Sequence, residues 1–245
     1  MTFTIAYAIY NKGYMIDEII DGLVYSMRGD IKYRFILDGC TDNSREVLEK
    51  EIAKLANAEY TETDDIFELA TSNIFLREFD TDFLVIFQDD MVMRDKNFIS
   101  NVENVYSAYG DELGLLGCRD GFDAGYSNMC GSRFSASRGR KILEPGDYCE
   151  RMMVNTGPII FMRRLLERVG YLDDIYTKGT YDDMDYSLRC YEAGLKNIVM
   201  GVDMIHDKFL YKHSGGKHTS QDVLSDMLRI NGKIFKDRWF DIAGI

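Results

Sequence analysis

The sequence predicts an α/β domain with a mostly parallel central sheet, helices on its faces and a helical C-terminal tail. Two observations predict it. Apolar runs of strand length alternate with segments of helical periodicity, as in sheets built from right-handed crossovers. The run FLVIF at 83–87 is apolar without a break, which is typical of a central strand covered on both faces.

The individual elements follow from local periodicity and turn residues. The predicted strands are 3–9, 33–37, 83–87, 113–118, 158–162 and 198–202. The predicted helices are 14–27, one through 47–55, 66–79, 98–109, 163–169, 182–193 and the tail helix 221–235. In the last two helices the predicted buried faces are Met184, Leu188 and Tyr191, and then Val223, Met227, Ile230 and Ile234. Residues 119–151 are Gly-rich without a clear period, so we expect a long functional loop there.

The composition favours one continuous domain. The 245 residues contain two prolines and no low-complexity tract. Five cysteines without a CxxC pair predict neither disulfides nor a zinc site and fit a reducing compartment. No apolar run approaches the ~20 residues that span a bilayer, and the N-terminus lacks a signal-peptide pattern. We expect a soluble, cytoplasmic protein, at most peripheral to the inner face of a membrane.

The charge distribution bears on the ligand class. The formal net charge is −12, from 41 acidic and 29 basic residues, which argues against nucleic-acid binding. Residues 124–143 contain basic but no acidic side chains, and the tail from Lys208 onward is locally basic. These patches suit a small anionic ligand such as a diphosphate. The alternative, that each patch is only a solvated basic surface, explains each of them equally well when it is taken alone.

Carboxylates follow the predicted strands at the edge where parallel sheets bind ligands. Gln88, Asp89 and Asp90 directly follow strand 83–87, and the paired carboxylates of Asp89 and Asp90 suit a hard cation such as Mg²⁺ or Mn²⁺. A polar turn beside a helix cap is the alternative. Asp38 and Asp42 lie in the turn after strand 33–37. The functional interpretation is that they bind a nucleotide base or ribose, and the alternative is that they are ordinary turn residues.

Two further positions have a functional and a structural interpretation. Asp182, Asp183 and Asp185 open a predicted helix, where the helix dipole alone favours them. The functional interpretation is that one of them is a general base, and neighbours on a helix differ by ~100° in direction. His206 follows the last predicted strand. It is interpreted as a metal ligand, a phosphate contact or a structural histidine.

Taken together, four stretches resemble the inverting glycosyltransferases of family 2, which have the Rossmann-like GT-A fold. They are TIAYAIYN at 4–11, FILDGCTDNS at 35–44, FLVIFQDD at 83–90, and the region 154–194, which contains GYLDD at 170–174 and DDMDYSLR at 182–189. The resemblance covers residues 3–206 in the family's order. It implies a nucleotide-binding half at 1–118 and an acceptor-binding half at 119–206, with a basic, amphipathic tail at 207–245 packed on the same domain.

The resemblance implies residue roles. Asp38 would contact the base, Asp90 would bind Mn²⁺ or Mg²⁺ on the donor diphosphate, and Asp183 would be the catalytic base. His206 would match a metal- or phosphate-contacting residue. Further expected contacts to the donor nucleotide are Tyr10, Asn11, Asp42, Asn73, Asp89 and Lys212, with Asp89 also a metal ligand. Expected contacts to the sugar or acceptor are Asp182, Asn155, Gly157 and Arg133.

The implied activity is metal-dependent, inverting transfer of a sugar from a nucleoside-diphosphate sugar, with a UDP-sugar favoured. The acceptor would be a hydroxyl of a glycan, a lipid-linked or another molecule, and the sequence names neither it nor an oligomeric state. Gln88 stands where the family has the first aspartate of its DxD motif, and this keeps a non-catalytic sugar-nucleotide or glycan-binding module open. A nucleotidyltransferase is disfavoured because the loop 10–13 is short and contains one glycine.

Overall fold

The computed structural model of the protein describes residues 1–122, 129–132, 141–206 and 221–243. The strands are β1 (Thr2–Ile9), β2 (Asp30–Asp38), β3 (Ala58–Thr63), β4 (Phe83–Phe87), β5 (Val92–Met93), β6 (Leu113–Gly117), β7 (Asp120–Phe122), β8 (Met129–Ser132), β9 (Lys141–Leu143), β10 (Tyr148–Arg151), β11 (Met153–Val154), β12 (Ile159–Met162), β13 (Lys196–Met200) and β14 (Met204–Ile205). The helices are α1 (Ile16–Ser26), α2 (Ser44–Glu51), α3 (Phe67–Glu78), α4 (Phe98–Tyr109), α5 (Arg163–Val169), α6 (Asp182–Glu192) and α7 (Gln221–Ala243).

The central sheet has eight strands in the order β10-β13-β6-β12-β4-β1-β2-β3. The four strands β4, β1, β2 and β3 are mutually parallel, and β13 is parallel to β6. Strand β12 runs antiparallel between β4 and β6, and β10 is antiparallel to β13 at the edge. The predicted α/β class with a mostly parallel sheet is therefore confirmed. None of the described helices combines the length and hydropathy needed to cross a bilayer.

Strand β3 was not predicted, because its sequence lacks an apolar run. Its residues AEYTET are half-buried or exposed, as expected for an edge strand protected by charge. The stretch 119–151, expected to be irregular, contains four short strands in its described part. Strands of three or four residues are too short to establish a period of two in the sequence.

The buried faces of α6 and α7 differ from the predicted ones. In α6, Met184 and Leu188 are buried as predicted, whereas Tyr191 is exposed. In α7 the described side chains buried on the protein are Met227, Asn231, Phe235 and Trp239, spaced four residues apart, and Ile230 is 46% exposed. Of the predicted residues, Met227 is buried and Val223 and Ile234 are half-buried. Ile230 is exposed because the polar residue Asn231 occupies the buried position beside it.

The register of β1 against β4 brings two loops together at one sheet edge. Phe3 pairs with Phe83 and Tyr7 with Phe87, and the ring centroids are 4.9 Å apart in both pairs. The Tyr7 hydroxyl donates to the carbonyl of Met91, just beyond β4, at 3.2 Å. The loops that follow these two parallel strands therefore lie side by side.

Helix α7 contacts α6 through a buried carboxylate. Asp185 has no exposed surface, and its Oδ1 accepts hydrogen bonds from Trp239 Nε1 at 2.8 Å and from the Tyr176 hydroxyl at 3.0 Å. Its Oδ2 accepts from Arg189 Nε at 2.9 Å, and Arg238 Nη1 lies 3.2 Å from Oδ1. This carboxylate satisfies donors from two helices and a loop.

We expect Asp185→Ala to lower the free energy of unfolding by about 3 kcal/mol, because it leaves several buried donors without an acceptor. Urea unfolding followed by circular dichroism measures the loss. Asp173→Ala is the matched control, because Asp173 pairs with the same Arg238 at 2.8 Å but is 36% exposed. We expect the control to cost about 1 kcal/mol or less, and equal losses would contradict this account.

Candidate active site

A cavity of about 250 Å³ lies at the carboxyl ends of β1, β2 and β4. Its walls are the strand ends, the first turns of α3, Thr180 and two side chains of α7, Leu224 and Met227. The charged residues that line it are all acidic. They are Asp38, Glu68, Asp89 and Asp90. Because no described lining residue is basic, an anionic ligand would need a cation to enter this space.

The loop after β1 is tied to the loop after β2. Asn11, at φ 52°, accepts hydrogen bonds through Oδ1 from the amides of Thr41 at 2.7 Å and Asp42 at 3.2 Å. Asparagine tolerates this left-handed conformation better than most residues. Asp42 is exposed and accepts from the amides of Gly13 and Ser44. Asn11 and Asp42 therefore shape the loops, and neither lines the cavity.

Asp38, the last residue of β2, lines the cavity and also fixes the start of α3. Its Oδ1 accepts from the Ile66 amide at 2.7 Å and the Thr63 hydroxyl at 2.8 Å, and its Oδ2 accepts from the Phe67 amide at 2.9 Å. A carboxylate at a helix N-terminus is favoured by the exposed amides and the dipole. Both carboxylate oxygens already accept hydrogen bonds from backbone amides. A nucleotide base that bound to Asp38 would therefore have to share these oxygens with the backbone.

Asp89 is held by the loop after β1. Its Oδ2 accepts from the Tyr10 amide at 2.9 Å, and its Oδ1 lies 3.9 Å from Lys12 Nζ, a lysine with only 1% of its side chain exposed. Burial raises the pKa of Asp89 to about 7, against the lowering effects of Lys12 and the Tyr10 amide. Tyr10 itself lines the cavity.

Asp90 and His206 form a separate pair. Asp90 Oδ2 lies 3.6 Å from His206 Nε2, and Asp90 Oδ1 is buried with no hydrogen-bond partner among the described residues. A buried carboxylate oxygen without a donor is costly unless a ligand or ion satisfies it. Strands β5 and β14 pair antiparallel, which brings the end of β14, and so His206, beside Asp90.

These donors fit part of a divalent cation's coordination shell. Across the described ranges, no three His, Cys, Asp or Glu side chains are grouped closely enough to hold a metal by themselves. Asp89 is thus not brought into one cluster with Asp90 and His206. Mg²⁺ and related ions usually take one or two carboxylates and complete their shell with water and substrate phosphates, so the pair fits a metal that is shared with the substrate.

Gln88, which lines the cavity, forms hydrogen bonds with two charged side chains, Glu68 and Arg119. Its Nε2 donates to Glu68 Oε1 at 3.1 Å, and its Oε1 accepts from Arg119 Nη1 at 3.3 Å. A glutamine can donate to one neighbour and accept from the other, whereas an aspartate would be too short and would repel Glu68. Burial raises the pKa of Glu68, and the charges of Asp183 and Asp90 raise it further.

Gly157 lies directly behind Gln88. A Cβ at this position would fall 2.8 Å from Gln88 Oε1 and 2.2 Å from Met91 Cε, and its φ of 105° favours glycine. We expect Gly157→Ala to lower the free energy of unfolding by about 2 kcal/mol, measured by urea unfolding. Gly29→Ala is the matched control, because Gly29 has φ 108° with nothing within 4 Å of its Cβ. A smaller loss in Gly157→Ala than in the control would contradict the close approach.

Asp182 and Asp183 lie at the start of α6, beside the same cavity. Asp183 Oδ2 accepts from the Thr156 amide at 2.6 Å and from its hydroxyl at 2.9 Å, and Asp183 Oδ1 accepts from the Met184 amide. Burial raises the pKa of Asp183 despite these hydrogen bonds. Burial and the charge of Asp183 hold the pKa of Asp182 well above its usual range. A space of about 10 Å³ between these aspartates, Glu68 and Thr156 is about the size of one water molecule.

The remaining expected site residues lie elsewhere. Asn73 is buried away from the cavity, where Nδ2 donates to the Leu172 carbonyl and to Asp174 Oδ1; it ties α3 to the loop before α6. Asn155 is half-buried next to Thr156 and does not line the cavity. Lys212 and Arg133 lie outside the described residues.

Sequence reasoning did not single out Glu68, Lys12 or Arg119. Glu68 looks like an ordinary acidic residue of a helix first turn, and Lys12 looks like an exposed loop lysine. The helical period of α3 offers one signal, because Glu68, Thr71 and Ser72 share a polar face, and this face lines the cavity.

The fold is similar to that of solved glycosyltransferase structures. No protein-family profile and no curated protein matches the chain. A mannosyltransferase from Pyrobaculum calidifontis, solved with GDP-Man and Mn²⁺, matches with a TM-score of 0.61 at 17% identity. TarS of S. aureus matches with a TM-score of 0.59 at 15% identity with UDP-GlcNAc bound, and 0.57 at 13% with UDP bound.

The coverage of these matches differs between the two chains. The alignment with the mannosyltransferase includes 81% of this chain, and the alignment with TarS bound to UDP-GlcNAc includes 98% of it. It spans 54% of the mannosyltransferase and 73% of that TarS chain. At these identities the likeness shows that the chain shares the α/β fold of nucleotide-sugar-binding glycosyltransferase structures. Membership of family 2 stays a prediction.

Proposed function

We propose that this protein is a metal-dependent glycosyltransferase that moves a sugar from a nucleoside-diphosphate sugar to an acceptor hydroxyl with inversion. The observation that carries the proposal is Asp90. Asp90 lines a cavity formed by the ends of β1, β2 and β4, its Oδ2 lies 3.6 Å from His206 Nε2, and its Oδ1 is buried without a hydrogen-bond partner among the described residues. That arrangement suits a cation bound jointly by protein and diphosphate.

The electrostatics support metal dependence. Four acidic and no basic residues of the described chain line the cavity, so a free diphosphate would be repelled. A bound Mn²⁺ or Mg²⁺ would supply the positive charge that neutralises the departing nucleoside diphosphate. Lys212 and the other basic tail residues are further proposed phosphate contacts.

Residues of this chain would bind the cation, contact the nucleotide and accept the proton. Asp90 and His206 would hold the cation, and Tyr10 and Asp38 would contact the nucleotide from the ends of β1 and β2. Asp183 would take the proton from the acceptor hydroxyl as its oxygen attacks the anomeric carbon. The bond from that carbon to the phosphate oxygen breaks, and its electron pair leaves with the diphosphate. One displacement inverts the anomeric centre.

The burial of Asp183 suits a base. Its raised pKa makes it a stronger proton acceptor than an exposed aspartate, and the hydrogen bonds from Thr156 fix its orientation. Asp182, whose pKa burial and the charge of Asp183 also raise, is proposed to contact the substrate beside it.

The test is release of the nucleotide from a panel of UDP-, GDP- and dTDP-sugars, which release a nucleoside diphosphate, and a CMP-linked sugar, which releases CMP, with a mixture of glycan and lipid-linked acceptors. Metal-dependent release, with an inverted product by NMR, supports the proposal. Binding of a nucleotide sugar without any release across the panel would favour the non-catalytic binding module instead. Substrates from the two neighbours, UDP-GlcNAc and GDP-Man, are the first to try.

A further inference from the structure

The segment before α6 has an unusual backbone conformation. Four consecutive residues, Lys178, Gly179, Thr180 and Tyr181, have φ values between 66° and 109°. Residues other than glycine are strained in this left-handed region and persist there only when surrounding contacts hold them. The segment leads directly into Asp182 at the start of α6, and Thr180 lines the cavity.

The contacts that hold this segment come from α7. Asn231 is fully buried, and its Nδ2 donates to the Gly179 carbonyl at 2.6 Å and to the Thr177 carbonyl and the Thr180 hydroxyl at 3.1 Å each. The Oδ1 of this amide has no hydrogen-bond partner among the described residues, which is a cost that an apolar residue would not incur. Position 231 therefore supplies donors to the segment at the expense of its own acceptor.

Two neighbours of Asn231 complete the contact. The ring of Phe235 lies 5.2 Å from the ring of Tyr181. A Cβ on Gly232 would come within 3.2 Å of the Tyr181 hydroxyl, so glycine at this position lets the tyrosine pack closely against the helix. Three residues of α7 thus contact both ends of the strained segment.

We infer that Asn231 is a positioning residue of the active site, which holds residues 177–181 so that Thr180 and the start of α6 face the cavity. The link to catalysis rests on the proposed function, because it takes Asp183 as the base. The holding of the segment rests on the α7 contacts alone. Among the described residues, the hydrogen bonds of Asn231 go to residues 177, 179 and 180 and to none of the strand ends at the donor side, so we expect its loss to affect the chemical step more than donor binding.

Asn231→Leu tests the inference, because it removes the donors at similar volume. Hydrogen exchange of the Gly179 amide, which donates to the Tyr176 carbonyl at 3.2 Å, is expected to rise about tenfold or more. The kcat of transfer is expected to fall about tenfold, with the donor KM within about threefold of wild type. Trp239→Phe is the matched control, since it removes one hydrogen bond of the same helix to Asp185 and none of the Asn231 hydrogen bonds to residues 177–180.

The two readouts separate the possible failures. Unchanged exchange at Gly179 in Asn231→Leu would overturn the holding role, and increased exchange with unchanged kcat would overturn the positioning role. If Asn231→Leu does not fold, Asn231→Ala gives the same two readouts. A wild-type protein without nucleotide binding would overturn the proposed function, and the exchange at Gly179 would still decide whether Asn231 holds the segment.

Discussion

Asp90→Asn is expected to weaken nucleoside diphosphate binding in the presence of Mn²⁺ on the order of 100-fold. The substitution keeps the shape of the side chain and removes the charge that faces His206. An asparagine oxygen binds a hard cation more weakly than a carboxylate does, so the variant would no longer hold the cation that would help to bind the diphosphate. Calorimetric titration of the nucleotide into each protein, with Mn²⁺ at a fixed concentration, measures the change.

The control for Asp90→Asn is an exposed aspartate. Asp147 lies outside the cavity, just before β10, and Asp147→Asn is expected to leave the affinity within about twofold, as for a surface charge at a distance. Without Mn²⁺ the wild type and Asp90→Asn are expected to bind equally weakly. A loss in Asp90→Asn that is equally large in EDTA would contradict a role in metal binding.

Asp183→Asn is expected to lower kcat by about 10²- to 10⁴-fold, the range for loss of a general base. The affinity for the donor is expected to stay within about threefold, because Asp183 contacts Thr156 and Met184 rather than the ends of β1 and β2. Initial rates of diphosphate release and the donor Kd, measured on the same preparations, give this split. Circular dichroism shows whether the variant folds.

The matched control is the neighbouring aspartate. Asp182→Asn changes the same charge one residue away, and we expect it to reduce kcat less than Asp183→Asn does. A larger loss in Asp182→Asn would move the role of base to Asp182.

The pH profile adds an independent test of Asp183. Burial raises its pKa, and the base must be deprotonated to act, so the rate of the wild type should fall as pH decreases through a value above the ordinary pKa of an aspartate. The charges of Asp182, Glu68 and Arg119 interact with this carboxylate and shift the midpoint of the profile. A rate that stays constant down to the ordinary aspartate pKa would contradict the assignment.

The sheet and the strand-end residues were predictable from the sequence for a physical reason. Parallel strands bury both faces, so FLVIF at β4 stands out as an apolar run, and the polar residues after it must lie at the ligand-binding edge. β4 and α4 have the predicted bounds. The edge strand β3 has no such run, because one side of an edge strand faces water.

Contacts between distant elements were not predictable in the same way. Asn11, Asp42 and Asn73 are polar residues near predicted ligand loops, yet their side chains satisfy the protein backbone, and a sequence does not distinguish these two uses. Asn231 interrupts an apolar stripe, so periodicity favours Ile230 instead. Only the left-handed segment that it contacts explains why a buried amide is useful there.

The measurement that tests the central claim most directly is calorimetric titration of the wild type with UDP, GDP, dTDP and CMP, each with Mn²⁺, Mg²⁺ or EDTA. The proposed function predicts that one nucleoside diphosphate binds with a clear preference, and that EDTA removes the binding because the acidic cavity then repels the phosphates. Absence of binding for every nucleotide with either metal would contradict the claim that this cavity is a sugar-nucleotide site.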